Sequence, residues 1–410
     1  MQYKTSSAPL ARPSESSVVT PTPIPALPNE LLAAFASVPD PRRRQGIRFP
    51  LPAVLALAAA AILCGQLSVL AIAEWGASQP YDVLRALGFR KGVSPHQTTI
   101  QRLFARVNPD HLSAALSSYF GKTTSSPQER PRGSQGVAID GKAQRGRLAF
   151  DSSGCPVHAL SALLHDYGIV LAHEPIENHG QNDKAEAELT VAPSLIARID
   201  WQGRVMTSDA LLCQRNLSQQ VIESNGDYLL TVKENQLTLY QDIRLLFDPP
   251  FDTLPLDDRR EAQTIDNGHG RHNDIRRLVA STDLVGYIDW PGLSQVFRLE
   301  RSWEEHGKTK QEVQYGITSL PAEIADAARL LELRRGHWQI ENGLHYVKDV
   351  TLGEDRSLIH CGKGASVMAL LRDLTISLLH QNGHRAIARR LRSNNRCPNQ
   401  AVALIVGSAA

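Results

Sequence analysis

The sequence predicts a small all-α N-terminal domain followed by an α/β core that carries an inserted β-rich subdomain. Apolar residues at helical spacing dominate residues 29–121. Beyond a linker-like stretch at 122–134, short apolar strands alternate with helices through the core, 135–380, which is typical of a mostly buried sheet. Within about 251–320 this alternation gives way to hairpin-like segments with Gly/His turns, which indicates antiparallel strands.

The overall composition is that of an ordinary globular protein with nearly balanced charge. Its 410 residues suffice for two or three domains, and 42% of them are apolar. The net charge is only +2, so binding to a polyanion would depend on local basic patches. Five scattered cysteines without a Cys-x-x-Cys pair indicate neither a disulfide framework nor a thiolate zinc site, and they predict a reducing, cytosolic location.

The two ends of the chain and its most apolar segment have distinct compositions. Residues 1–28 are rich in proline and serine and have no apolar core, which predicts a disordered tail rather than a signal peptide. Residues 51–65 are shorter than the ~20 apolar residues that cross a bilayer, so we expect a buried helix and no membrane partner. Residues 381–410 are predicted to form a basic C-terminal segment.

One helix of the N-terminal domain has the pattern of a helix that could enter the major groove of DNA. In residues 94–107 one face is apolar, and the other carries polar side chains: Gln97, Thr98, Gln101 and Arg102. A plain amphipathic surface helix has the same pattern, and the spacing alone favours that second interpretation. The residues leave DNA reading by this helix open.

Two acids follow predicted strands, and a third lies on a predicted helix. Asp140 ends the apolar run "VAI", and Asp209 follows "RVMTS". The carboxyl edge of a sheet is where open α/β folds gather their ligands. The third acid, Glu341, shares one helical face with residues at steps of three and four: Arg334, His337, His345 and Lys348. A face that mixes an acid with cations predicts that this helix borders a polar cleft.

Converging carboxylates repel one another unless a cation compensates them. Mg²⁺ or Mn²⁺, held by oxygen ligands, is the usual solution. Two such ions roughly 4 Å apart can activate a water or hydroxyl and stabilise the leaving oxygen of a phosphodiester. Nearby cations would then hold phosphates by charge: Lys142, Arg145, Arg334 and Lys348. The residues therefore suggest metal-dependent chemistry on a nucleic acid.

Each of these acids also has a structural interpretation. Asp140 with the following glycine is a common strand-to-turn pair, and Asp209 could cap the helix that follows it. Glu341 and Lys348 could belong to a solvated helix face. Glu354, in "LGEDRS", competes with Glu341 as the third acid. Composition and spacing do not decide among these alternatives.

Several blocks in order carry a more specific signal. They are "FASVPDPRRRQGIRFPLPAVLALAAAAILCGQLSVLAIAEWG", "VAIDGKAQRGR", "VMTSDALLCQ", "DYLLTVKENQ", "HGR" at 269–271 and "GHWQIENGLHYVKDVTLGEDRS". Together they resemble the H-repeat-associated insertion-sequence transposases, over about residues 31–377. The resemblance implies a DDE catalytic core of ribonuclease-H-like fold, with the helical N-terminal domain binding the terminal repeats.

The resemblance also implies a site and a reaction. Asp140, Asp209 and Glu341 would be the catalytic, metal-binding triad, holding two Mg²⁺ or Mn²⁺ ions. Metal-activated water would cut double-stranded DNA at the element end, and the freed 3′-hydroxyl would attack target DNA. A homodimer would act across two ends. The alternatives are a ribonuclease-H-like nuclease without strand transfer and a catalytically inactive, transposase-derived DNA-binding protein.

Related transposases carry Tyr, Arg, Glu and Lys on the third-acid helix at spacings of three, four and seven. Glu341 and Lys348 match this pattern, whereas Arg334 stands at the tyrosine position and His337 at the arginine position. The Lys-x-Asn-Gln block gives three further DNA-binding candidates: Lys233, Asn235 and Gln236.

Overall fold

The computed structural model describes most of the chain in eight stretches. They are residues 30–124, 130–143, 158–176, 184–248, 258–268, 271–305, 307–359 and 362–407. The expected tail at 1–28, the predicted DNA contact Arg145, and His269 and Gly270 of the "HGR" block lie outside the described residues.

The N-terminal region is helical, as the apolar spacing predicts. Its helices are α1 (Glu30–Ser37), α2 (Leu51–Leu63), α3 (Val69–Ser78), α4 (Tyr81–Ala86), α5 (Gln97–Phe104) and α6 (Pro109–Thr124). Every residue of α2 except Pro52 is buried, because the helix is surrounded by other helices. Among the described residues, no helix has both the length and the apolar content needed to cross a bilayer.

The described strands form one mixed sheet. They are β1 (Gln135–Ala143), β2 (His158–Leu164), β3 (Ile169–Ile176), β4 (Arg204–Ser208), β5 (Asp227–Val232), β6 (Arg260–Gly268), β7 (Arg271–Ser281), β8 (Gln295–Glu305) and β9 (Lys308–Thr318). Their order across the sheet is β3-β2-β1-β4-β5-β9-β8-β7-β6. The first three strands are antiparallel, whereas β4 and β5 run parallel to β1. The parallel strands β1, β4 and β5 therefore end at the same edge.

The β-rich segment forms hairpins, but it does not stand apart as a subdomain. Strands β6 to β9 form an antiparallel meander. Strand β9 also pairs with β5, from Leu229 opposite Thr318 to Val232 opposite Tyr315. Because backbone hydrogen bonds continue across this pair, the four strands extend the core sheet. The inserted β-rich subdomain expected at about 251–320 is therefore not confirmed as a unit of its own.

The remaining helices cover the sheet and join it to the N-terminal region. They are α7 (Lys184–Ala197), α8 (Arg215–Glu223), α9 (Leu237–Phe247), α10 (Ala327–Gly336), α11 (Gly364–Gln381), α12 (Ile387–Arg396) and α13 (Pro398–Val406). Helix α11 contacts α2, α6 and β3, and one hydrophobic cluster includes Ala60, Leu163, Leu371 and Ile405. The apolar core is thus continuous across the domain boundary expected near residue 121.

The basic C-terminal segment is folded where it is described. Helices α12 and α13 both pack on α2, so the end of the chain completes the N-terminal helical layer. Ile387 and Leu391 point into this layer, whereas Arg389, Arg392 and Arg396 are exposed. The amphipathic pattern follows from the apolar residues at a spacing of four.

Helix α5 shows the amphipathic orientation that its sequence predicts. Its buried residues are Ile100, Leu103 and Phe104. Thr98, Gln101 and Arg102 are exposed on the opposite side, and Gln97 is half-buried. A polar helix face thus lies at the protein surface.

Candidate active site

The sheet brings the first two acids together. Strands β1 and β4 are parallel neighbours, with Ala138 opposite Thr207. Because paired residues of parallel strands advance together, Asp140 and Asp209, each two residues further on, emerge side by side at the carboxyl edge. The backbone N–H of Leu211 donates to Asp209 Oδ1 at 3.0 Å. Asp209 therefore stabilises a turn, and it does not cap α8, whose N-cap residue is Gln214.

The third acid approaches from a π-helical segment that follows α10. This segment, Ile340–His345, carries both Glu341 and His345. His345 Nδ1 lies 3.4 Å from Asp140 Oδ2 and 3.6 Å from Glu341 Oε2. One ligand atom of each of the three side chains lies within 4.8 Å of the other two. Such π turns in helices are frequent at functional sites.

Glu354 does not compete for this position. Its side chain is 1% exposed and contacts Arg372 and Lys348 instead. Glu341, by contrast, is half-exposed and faces Asp140. Between the two alternatives for the third acid, the structure brings Glu341 to the sheet edge.

The electrostatics of the cluster are those of closely spaced carboxylates. Burial raises the pKa of Asp140, and contact with Glu341 and the charge of Asp209 raise it further. The neighbouring His345 imidazole lowers the pKa of Glu341. Burial and its acidic neighbours thus favour the protonated form of Asp140, whereas the imidazole favours the ionised form of Glu341. The carboxylate oxygens fit Mg²⁺ or Mn²⁺, because two divalent cations would more than compensate the three negative charges that crowd here.

A buried hydrogen-bond chain supports the end of β4. Thr207 is joined to His165 at 2.9 Å and to His337 at 3.2 Å. Burial lowers the pKa of His337 to about 3, so this ring bonds Thr207 as an uncharged imidazole. His165 also fills the space beside Gly136 and Gly336, where an added Cβ would come within 2.2 Å of its Nδ1. The sequence patterns did not predict this series of hydrogen bonds. Gly136 and Gly336 leave the space that the His165 ring occupies.

Two family models match this chain. A family model described as "Transposase DDE domain" matches residues 136–379, and one described as "DDE_Tnp_1-associated" matches residues 32–120. The first match alone spans more than half of the chain.

The chain belongs to the DDE transposase family.

Relatives carry the names expected from the resemblance. "H repeat-associated putative transposase YhhI" of Escherichia coli (strain K12) is 25% identical over 85% of this chain and 90% of its own length. "Putative transposase YncI" of Escherichia coli O157:H7 is 27% identical over 85% of this chain and 87% of its own length. The expected similarity to H-repeat-associated transposases is therefore confirmed.

A solved structure of a piggyBac transposase synaptic complex with hairpin DNA also matches. It is 10% identical and covers 93% of this chain and 84% of that chain. The TM-score is 0.39, which is too low to support a conclusion about this chain.

In this DDE transposase, two side chains that follow β5 hold the loop that begins at Asp209. Asn235 donates from Nδ2 to the carbonyl oxygen of Ala210 at 2.7 Å. Gln236 donates from Nε2 to the carbonyl oxygen of Cys213 at 3.1 Å. Lys233 is exposed beside them. The two amides thus hold the loop that begins at Asp209.

Lys142 lies closer to the acids. It follows Asp140 by two residues on β1, and its Nζ is 2.6 Å from Asp349 Oδ2. The lysine side chain is largely buried, and the aspartate is about one-third exposed. Its charge is therefore already partly compensated within the protein.

Three expected DNA contacts are buried. Arg334 donates to the Gln314 side chain at 3.1 Å, and His337 bonds Thr207. Lys348 is 3% exposed and lies 2.9 Å from Asp373 Oδ1. The polar groups of Arg334, His337 and Lys348 therefore point into the protein and bond within it. Helical spacing placed them correctly on one helix face, but that face packs inward.

Proposed function

We propose that the chain cleaves DNA at the ends of an insertion sequence and transfers the freed 3′-hydroxyl to target DNA. The observation that supports this most is the convergence of Asp140, Glu341 and, beside them, Asp209 at one edge of the sheet. We also propose that β1–β5, in the order β3-β2-β1-β4-β5, form a ribonuclease-H-like core. Family membership makes transposition the reaction that this arrangement suits best.

The three acids hold the metal in this proposal. When bound, two Mg²⁺ or Mn²⁺ ions supply the means to activate a water or hydroxyl and to stabilise the leaving oxygen. Asp140 supplies a carboxylate from the rigid strand β1, and Glu341 supplies one from the helix. Asp209 is exposed at the carboxyl edge of the sheet, and Asn235 holds the loop that begins there. A proton held at Asp140, whose pKa is raised, would leave as the cation enters.

Double-stranded DNA is the partner that we infer. Lys142 follows Asp140 by two residues, and Lys233 precedes Asn235, which holds the loop that begins at Asp209. Both lysines would contact the DNA phosphates by charge. The helical region at 29–121 would bind the terminal repeats, through the exposed polar face of α5. A homodimer would hold two element ends together.

A cleavage and strand-transfer assay tests this function. The substrate is the DNA that flanks the gene, with Mg²⁺ or Mn²⁺. Asp140→Asn, Asp209→Asn and Glu341→Gln should each abolish both steps while DNA binding is retained. Glu323→Gln, which removes an exposed carboxylate elsewhere, serves as the matched control and should keep full activity.

Three outcomes would contradict the proposal in different ways. Cleavage without joining would leave a nuclease. DNA binding without cleavage by the wild-type protein would leave an inactive DNA-binding descendant. Full activity in any of the three acid variants would remove that residue from the site.

A further inference from the structure

His345 is the histidine in a cluster whose other two members, Asp140 and Glu341, are acids. Its side chain is 7% exposed, and Nδ1 points between Asp140 and Glu341. The two Nδ1–oxygen distances are 3.4 Å and 3.6 Å. An ordinary N–H···O hydrogen bond is about 2.7–3.2 Å long. The ring therefore makes no close hydrogen bond to either carboxylate.

The other ring nitrogen does not explain the position either. His345 Nε2 is buried and, within the described part of the chain, has no hydrogen-bond partner. Other buried histidines differ in this respect, because His165 bonds Thr207 at 2.9 Å and His380 bonds the carbonyl of Gly168 at 2.9 Å. Nδ1, which bonds neither carboxylate closely, is placed where a ligand to an ion held by Asp140 and Glu341 would lie.

We propose that His345 Nδ1 is a metal ligand beside Asp140 and Glu341, and that it makes the site favour Mn²⁺ over Mg²⁺. This inference rests on the proposed function, because it concerns the same metal site. Adjacent ligands of a small octahedral cation lie about 3 Å apart, close to the spacing of these donor atoms. Carboxylate oxygen suits both ions, but Mn²⁺, as a first-row transition ion, also accepts imidazole nitrogen, which Mg²⁺ binds weakly. A nitrogen in the ligand set therefore gives Mn²⁺ the larger gain.

Pulsed electron paramagnetic resonance of Mn²⁺ bound to the untagged, full-length protein tests this directly. The wild-type protein should show ¹⁴N coupling from a coordinated imidazole. His345→Gln should lose that coupling. His111→Gln, which changes an exposed histidine on α6, is the matched control and should keep it.

Competition between the two metals gives a second readout. Loss of the His345 ligand should weaken Mn²⁺ binding about tenfold or more. Mg²⁺ binding should fall much less, so the affinity ratio between the two ions should shrink. A ratio unchanged in His345→Gln would overturn the selectivity role.

The result for the wild-type protein decides the issue even if His345→Gln fails to fold. Bound Mn²⁺ without ¹⁴N coupling in the wild-type protein would overturn the role of His345 and leave the proposed function intact. Coupling that persists in folded His345→Gln would also overturn it. No Mn²⁺ binding, or binding unaffected by Asp140→Asn, would instead remove the metal site on which the proposed function depends.

Discussion

Lys348→Met is expected to destabilise the protein rather than to weaken DNA binding. Lys348 lies in a buried ion network, 2.9 Å from Asp373 Oδ1 and 3.5 Å from Glu354 Oε2. Arg372 also contacts Glu354, at 3.3 Å, and His173 contacts Asp373 at 2.7 Å. The two cations, Lys348 and Arg372, balance the two carboxylates. Methionine keeps most of the apolar stem but leaves one buried negative charge uncompensated.

The magnitude follows from burial and from the pKa of Asp373. Burial alone would raise that pKa, but Lys348 and His173 outweigh it and hold the pKa at about 2. The drop from the ordinary value of 3.8 corresponds to about 2 kcal/mol of favourable interaction. Removing one partner of a buried pair typically costs about 3–5 kcal/mol. We therefore expect Lys348→Met to lower the free energy of unfolding by about 3 kcal/mol or more at pH 7.

Urea unfolding of the variant and the wild-type protein measures this difference. Lys308→Met, at an exposed lysine on β9, is the control and should change the free energy of unfolding by less than about 0.5 kcal/mol. Adding Asp373→Asn to Lys348→Met should restore part of the loss, because it neutralises the orphaned carboxylate. A Lys348→Met protein of wild-type stability but weakened DNA binding would refute the burial argument and favour a phosphate contact.

Three further outcomes are expected. Asn235→Ala removes the 2.7 Å hydrogen bond to Ala210, so the free energy of unfolding should fall by about 1 kcal/mol. Calorimetry should also show weaker Mn²⁺ binding, because the Asp209 loop is held less firmly. Unchanged Mn²⁺ binding would mean that this bond does not position the loop. Gly336→Ala would push a Cβ into His165, and thermal denaturation should show a loss of about 1–3 kcal/mol; wild-type stability would contradict the tight contact. Lys233→Ala should reduce the slope of log DNA affinity against log salt by about 1 in a filter-binding titration, and an unchanged slope would exclude a phosphate contact at that position.

The meeting of the acids was predictable because it depends on strand order. Asp140 and Asp209 each end a short apolar run, and parallel strands gather such ends at one edge. Glu341 followed from helical spacing together with the family blocks. The family match now confirms the resemblance on which that choice depended.

The fate of the basic residues was not predictable in the same way. Periodicity shows that Arg334, His337 and Lys348 share a face with Glu341, but it does not show what packs against that face. Here the sheet and α11 cover it, and Lys348 finds Asp373 on α11, 25 residues further along. Pairing over such distances leaves no local sequence pattern, because any acid of the core could have been the partner.

The β-rich segment illustrates a similar limit. Its hairpins follow from local turn and strand patterns. Whether the meander stands alone or extends the core sheet depends on the pairing of Thr318 with Leu229, which joins distant parts of the chain. The role of Asn235 was not predictable from the sequence either, because its partner is the backbone carbonyl of Ala210, in the loop that begins at Asp209.

The central claim is that Asp140, Asp209 and Glu341 share divalent metal. Anomalous diffraction from a crystal soaked in Mn²⁺ tests this most directly. We predict an anomalous peak in contact with Asp140 and Glu341, with Asp209 within reach of the same site. An anomalous peak only at another place in the protein would contradict the claim. So would the absence of any peak at saturating Mn²⁺ in a crystal in which Asp140 and Glu341 still lie side by side.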